Sequence, residues 1–326
     1  MQANPFLATG PARIILNEVV SGNPTQLRGA IEVGGQRAEV IVANPAGIAV
    51  DGATFINASR ATLTTGTPQL NAAGGLDGYV VRGGTVSIDG AGLDARSTDY
   101  TTILARAIKV NAGLWANELK VVTGANQVSA DQGQVSPTTG TGKAPVFALD
   151  VAHLGGMYAG KITLIGTEHG VGARNAGTIM AADGSGPLSG PGEFVITADG
   201  RLENIGTIQA ARRADIAAES LANSGRIASG GELKIATPGP LANAGTLEAQ
   251  SLQLASASDI DSCVSPPPAR PSMRPASFRP AAPSRLPTAA WSTRRARSPA
   301  AGCPWTHAAM RWRTRRARLQ PTRLSM

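Results

Sequence analysis

Apolar residues along this chain come in short alternating bursts and never in a run of about eighteen, the length a membrane span would need. Arg13-Ile14-Ile15-Leu16, Ala30-Ile31-Glu32-Val33, Ala38-Glu39-Val40-Ile41-Val42, Thr85-Val86-Ser87-Ile88, Ala107-Ile108-Lys109-Val110 and Leu119-Lys120-Val121-Val122 are each long enough for a strand and too short for a helix. Their β-branched content favours sheet. One segment, residues 98–107, also allows a short helix, because Ile103, Leu104 and Ala107 would share a helical face.

Further along, the bursts become periodic. Asn175-Ala176-Gly177-Thr178-Ile179 is echoed at Asn204-Ile205-Gly206-Thr207-Ile208, Asn223-Ser224-Gly225-Arg226-Ile227 and Asn243-Ala244-Gly245-Thr246-Leu247, at spacings of 29, 19 and 20 residues. Strand candidates Glu193-Phe194-Val195-Ile196, Ala214-Asp215-Ile216-Ala217, Glu232-Leu233-Lys234-Ile235 and Ser251-Leu252-Gln253-Leu254 lie between the signatures. A repeat of about twenty residues with two or three strands matches one coil of a parallel β-solenoid, each coil stacking on the last at about 4.7–4.9 Å. The pattern predicts that Gly supplies a positive φ at the corner, and that Asn adopts the left-handed region or bonds its own backbone. The long first interval predicts a loop around Gly184–Gly192 pushed out of one coil.

Charge changes the picture only once it is located. The net charge is +8, which would suggest a nucleic-acid partner. Residues 263–326, however, hold thirteen Arg and no Lys, Asp or Glu, leaving residues 1–262 at about −5, so no nucleic-acid partner is expected of the body. The same tail holds eleven of the 22 Pro, three of the four Trp and both Cys, Cys263 and Cys303. The body therefore needs no disulfide framework. The tail lacks any apolar period and is expected to be disordered. Its composition resembles a GC-rich gene read out of frame; a phosphate-binding basic arm at 294–297 and 311–318 is the competing reading.

Candidate chemistry is sparse. His153 and His169 have no Cys or paired carboxylates at ligand spacing, and His307 lies in the tail, so no metal and no cofactor are expected. Gly34-Gly35 and Gly83-Gly84 are turns, since neither belongs to a phosphate-cradling glycine pattern. Asp89, Asp94 and Asp99 are the carboxylates a polysaccharide-cleaving β-helix would need, but their five-residue offsets match no single strand face. The chain is expected not to be an enzyme.

Residues 4–180 resemble the secretion domain of two-partner secretion exoproteins, the filamentous haemagglutinin and contact-dependent inhibition family. The resemblance rests on Asn4-Pro5-Phe6-Leu7, Ile15-Leu16-Asn17-Glu18-Val19, Gly22 through Gly29, Glu39 through Ile48, Gly52 through Asn57, Ser59 through Gly66, Leu114-Trp115-Ala116-Asn117 and Gly155 through Ile162. The repeats at 175–254 resemble the haemagglutinin repeats that follow this domain. The resemblance implies an all-β, right-handed parallel β-helix, with a truncated secretion domain at 1–174, haemagglutinin-type coils at 175–262 and the tail at 263–326. It implies a fragment of a large secreted adhesin or contact-dependent inhibition exoprotein, with an outer-membrane transporter as partner and receptors on host or neighbouring cells as further ones. Non-functional fragment and polysaccharide-binding or polysaccharide-cleaving β-helix are the alternatives. The parent is expected to be secreted to the cell surface; this chain, whose Met1-Gln2-Ala3-Asn4 opening has no signal-peptide pattern, is expected to stay in the cytoplasm.

Two Asn-Pro motifs carry the implied recognition sites: Asn4 and Pro5, and Asn44, Pro45, Gly47 and Ile48. Ala46 stands where the family pattern has Asn, and Phe6 likewise. Pro fixes φ near −65° and Asn before it favours extended geometry, so each motif is either a preset turn or a contact with the transporter.

Overall fold

Alternating apolar residues put one face of every strand inward, and in this chain three such faces close around one another. The computed structural model describes residues 10–184, 188 and 190–258, and the backbone of 260–262; all of them belong to one compact unit, Met1–Ser265. Asn4, Pro5 and the whole tail from 263 lie outside the described residues, as does the expectation that the tail is disordered.

The first face is a parallel ladder of ten strands running from 14–18 through 39–43, 60–64, 100–105, 118–123, 161–166, 193–198, 213–217 and 232–237 to 251–256. The second runs from 25–27 through 48–51, 86–88, 108–110, 149–151, 173–175, 202–204, 221–223 and 241–243 to 260–262. The third runs from 29–32 through 53–54, 93–95, 114–116, 156–159, 178–181 and 207–210 to 226–228 and 246–248. The chain visits the faces in this order, so each circuit is one coil of a parallel β-helix. We number the coils from the N-terminus by their strand on the first face. Residues 98–107, which also fitted a helix, are strand: Thr85–Ala105 and Ala107–Val110 meet at Arg106. Ladder bonds with coils 3 and 5 on either side outweigh the local helical pattern.

The interior is filled by in-register columns of aliphatic side chains. Ile48, Val86, Ile108, Leu149, Ala173, Leu202, Leu221 and Leu241 form one column on the second face, and Leu93, Leu114, Met157, Ile179, Ile208, Ile227 and Leu247 another on the third. All are buried. At roughly 1.5–3 kcal/mol for each fully buried aliphatic side chain, these columns are the main favourable term holding the stack.

Not all of the sheet is parallel. Segments inserted after the first-face strands of coils 3 and 5 supply Thr67–Leu70 with Leu76–Val81, and Asn126–Ser129 with Val135–Pro137, which join as a four-stranded antiparallel sheet. Tyr79, Val81 and Val128 on this sheet pack against Ile41, Leu104 and Val122, which point outward from the first face. The side sheet is an addition to the expected parallel β-helix, whose coils run on unbroken beneath it. It also explains why residues 13–128 show no clean period: Arg60 pairs Tyr100 forty residues later, whereas Glu39 pairs Arg60 after only twenty-one.

The corners also differ from expectation. Gly177, Gly206, Gly225 and Gly245 do not have positive φ, and neither do the asparagines before them; the only non-glycine residues with positive φ among those described are Asn57 and Gln132. Glycine is needed there for space. A Cβ on Gly206 would lie 2.1 Å from the Gly177 carbonyl oxygen, and one on Gly225 2.0 Å from that of Gly206.

Candidate functional site

The Asn44–Ile48 segment forms the corner between the first and second faces of coil 2. Its strand, Ala38–Ala43, ends where Asn44 turns its side chain inward and becomes fully buried. The Asn44 side-chain amide donates to the carbonyl of Asn23 at 2.9 Å and to the Thr25 hydroxyl at 2.8 Å, both in coil 1, while its Oδ1 accepts the Ala46 N–H at 2.9 Å. The Gly47 N–H closes the turn onto the Asn44 carbonyl at 3.0 Å. Gly47 has φ of 123°, and a Cβ there would lie 3.0 Å from the Thr85 carbonyl oxygen of coil 3. Ile48 then starts the strand Ile48–Ile56 and is buried between Thr25 and Val86. Of the motif, only Pro45 is exposed and Ala46 half-buried.

Two other motif asparagines do similar work at the corners between third and first faces. The Asn57 amide donates to the carbonyls of Val33 and Gly35 at 2.9 and 2.8 Å, and that of Asn117 to the carbonyls of Arg96 and Thr98, both at 2.8 Å. Each satisfies two carbonyls that the sharp bend removes from the ladder. The family motifs Gly52–Asn57 and Leu114–Asn117 each end on such an asparagine, and that shared position was the signal available in the sequence.

The repeat asparagines face the other way. Asn175 donates to Asn204 Oδ1 at 2.8 Å, Asn204 to Asn223 Oδ1 at 2.6 Å, and Asn223 to Asn243 Oδ1 at 2.6 Å, all four side chains being buried. They do not mainly bond their own backbone, as the local pattern suggested. In register, this ladder continues the column Leu27, Val50, Ile88, Val110, Val151. This column therefore switches from aliphatic to amide at residue 175, while the neighbouring columns stay aliphatic. At the switch the Asn175 Oδ1 is buried with no hydrogen-bond partner, because the side chain beneath it is Val151.

Titratable groups are arranged as clamps. Arg106, at the one-residue corner of coil 4, donates to both carboxylate oxygens of Glu168 at 3.0 and 2.7 Å and also to the Thr141 carbonyl. The pair is largely buried, and the Arg106 guanidinium holds the Glu168 carboxyl below its ordinary value of 4.5. Beneath the side sheet, burial pushes the Glu39 carboxyl up, against the opposing pull of Arg60. Burial raises the Tyr79 phenol and lowers the Lys120 ammonium.

The carboxylates weighed for catalysis are engaged separately. Asp89 accepts from Asn111 at 2.7 Å, Asp94 from Arg96, and Asp99 from Arg37 at 2.7 and 3.0 Å. His153 is exposed, and His169 lies 3.4 Å from Asp199 on the surface. Among the described residues, no three His, Cys, Asp or Glu side chains group closely enough to hold a metal. Trp115 stacks on Tyr158 across coils 4 and 5, ring centres 6.0 Å apart.

Residues 2–204 match the model of the TPS secretion domain family. Toxin CdiA of Yersinia pestis is 52% identical over 227 residues, covering 69% of this chain and 7% of that protein. The tRNA nuclease CdiA-2 of Burkholderia pseudomallei is 46% identical over 195 residues, covering 60% of this chain and 6% of that protein. Among solved structures, a filamentous hemagglutinin secretion domain aligns with 78% of this chain and 75% of its own, at 28% identity and a TM-score of 0.47. The chain thus spans 6–7% of the length of these curated relatives.

Proposed function

The chain belongs to the TPS secretion domain family, and from that premise we propose that residues 10–258 form the export-recognition end of a large exoprotein, engaged by an outer-membrane transporter of the two-partner type. The observation that carries this reading is the family match across 2–204 combined with 52% identity to a relative of which the chain covers only 7%. Proteins of this family are secreted, and the parent of this chain is read as a secreted adhesin or contact-dependent inhibition exoprotein acting at the cell surface, with receptors on other cells as further partners.

Catalysis is assigned elsewhere. Several relatives are named as nucleases, and this chain spans about 6% of each. We read this segment as a non-enzymatic recognition and scaffolding unit.

Within the unit, the division at 174/175 is supported by the change from aliphatic side chains to an asparagine ladder at Asn175. The Asn44–Ile48 corner acts chiefly as a turn that fixes coil 2 on coil 1, leaving Pro45 and Ala46 as the surface a transporter would meet. Asn4 and Pro5 are proposed as a second such motif.

The test is export. Residues 1–262 behind a cleavable signal peptide are expressed with and without a two-partner transporter. Appearance in the medium only with the transporter is expected. Periplasmic retention in both cases, with the protein folded, would contradict the reading.

A further inference from the structure

The side sheet is assembled from two segments, 67–81 and 126–137, and the first-face strands of coils 4 and 5 lie between them in sequence. It therefore cannot be completed until the first-face strand of coil 5 has been laid down. Most of its underside is apolar; Asn126 bonds the Thr123 and Gly124 carbonyls at the edge of coil 5, and a second buried polar side chain reaches across several coils. Gln132, in the turn before Val135–Pro137, has φ of 60° and is only 3% exposed. A non-glycine residue held in the left-handed region, and buried, is an outlier that its surroundings must enforce.

While its backbone N–H closes the turn onto Ser129, three other polar groups of Gln132 each meet a different coil. Its amide nitrogen donates to the Thr62 hydroxyl of coil 3 at 3.1 Å, and its Oε1 accepts from the Thr102 hydroxyl of coil 4 at 2.7 Å. Its backbone carbonyl accepts from the Lys120 ammonium of coil 5. Thr62, Thr102 and Lys120 are partners in a single register column. A slip of one residue in either pairing would turn one of the three inward and replace it with a strand neighbour, apolar in every case but Thr101, since strand neighbours point to opposite faces. The Gln132 amide would then be buried with donors and acceptor unmade.

We propose that the side sheet is a latch that reads strand register, with Gln132 as its bolt: it seats only on coils 3, 4 and 5 stacked in register, and its seating shields the outward apolar residues Ile41, Leu104 and Val122. The latch is separable from the coils it inspects.

The test is residue-resolved amide exchange on the full chain. Gln132→Gly keeps the left-handed backbone accessible while removing the bolt, and the pair Thr62→Val with Thr102→Val removes the slot while keeping the bolt. In both variants exchange within 67–81 and 126–137 is expected to quicken about tenfold or more, while 193–256 is unchanged. Unchanged exchange in the side sheet would overturn the proposal. So would an equal rise throughout the coils or the failure of either variant to fold, because the side sheet would then be part of the core and not a latch upon it.

Discussion

The side-chain nitrogen of Asn204 donates to Oδ1 of Asn223, 2.6 Å away and one coil further along the stack. Both side chains are buried, so each must find its partners inside the protein, and the ladder supplies them by repetition. Replacing Asn204 with Leu strands one N–H of the Asn175 amide, whose other bond to the Thr207 carbonyl remains, together with the Asn223 oxygen. We expect a loss of about 2–4 kcal/mol in denaturant unfolding. Asn175→Val strands the Asn204 oxygen and takes one donor from the Thr207 carbonyl, but it also removes an acceptor that already lacks a partner. Its cost should be about half as large.

The Asn44 corner separates fold from recognition. Asn44→Ala removes two donations to coil 1 and one acceptance from Ala46, and should cost about 2–3 kcal/mol, lowering melting temperature and export together. Pro45→Ala makes no comparable change inside and should leave the melting temperature within a few degrees. Export that falls with Pro45→Ala at unchanged stability would identify the exposed tip as a transporter contact.

Acid acts in opposite directions on two carboxylates. Arg106 holds Glu168 below its ordinary value, so its contribution is present at neutral pH and is lost as pH falls below about 4.5 through the lowered folded value. Burial holds Glu39 above its ordinary value, so its contribution is present in acid and is lost as pH rises above that value. Stability measured from pH 3 to 7 should therefore fall less steeply on the acid side in Glu168→Gln, while Glu39→Gln should match or exceed the parent at pH 7. Identical pH profiles for Glu168→Gln and the parent would remove Arg106 as the cause.

Close approach at the corners can be tested with one methyl group. A Cβ at Gly225 would sit 2.0 Å from the Gly206 carbonyl oxygen, and backbone there cannot give way without separating two coils. Gly225→Ala should cost about 3 kcal/mol or more. Gly142, whose φ is 70° but whose surroundings are open, should cost only about 1 kcal/mol when made Ala.

The coil architecture was legible because its carriers are local. Alternating bursts such as 232–235 and the Asn-x-Gly spacing of about twenty residues follow directly from strands that face inward at every second position. The side sheet was not, because antiparallel segments at 67–81 and 126–137 interrupt the period, and nothing in either insertion names its distant partner. The repeat asparagines were legible in position and only partly in geometry, since an inward side chain ending a strand and a left-handed corner residue look alike in sequence. Asn204 and Asn243 do reach the carbonyl two residues on, but none has positive φ and the ladder runs between coils. Gln132 carried no signal, as a glutamine beside Asp131 and Gly133 has the composition of any surface turn. Asn44 was legible as a turn because proline follows it, but its bonds to coil 1 depend on residues some twenty positions away.

A cysteine pair tests the stacked coil most directly. Thr197 and Ala217 are exposed register partners on adjacent coils, while Ala218 points into the core. With Cys263 and Cys303 changed to Ser, Thr197→Cys combined with Ala217→Cys should form a disulfide readily under mild oxidation, and Thr197→Cys with Ala218→Cys should not. Equal linking in both pairs, or none in the first while the protein is folded, would contradict a stack in which each coil repeats its neighbour in register.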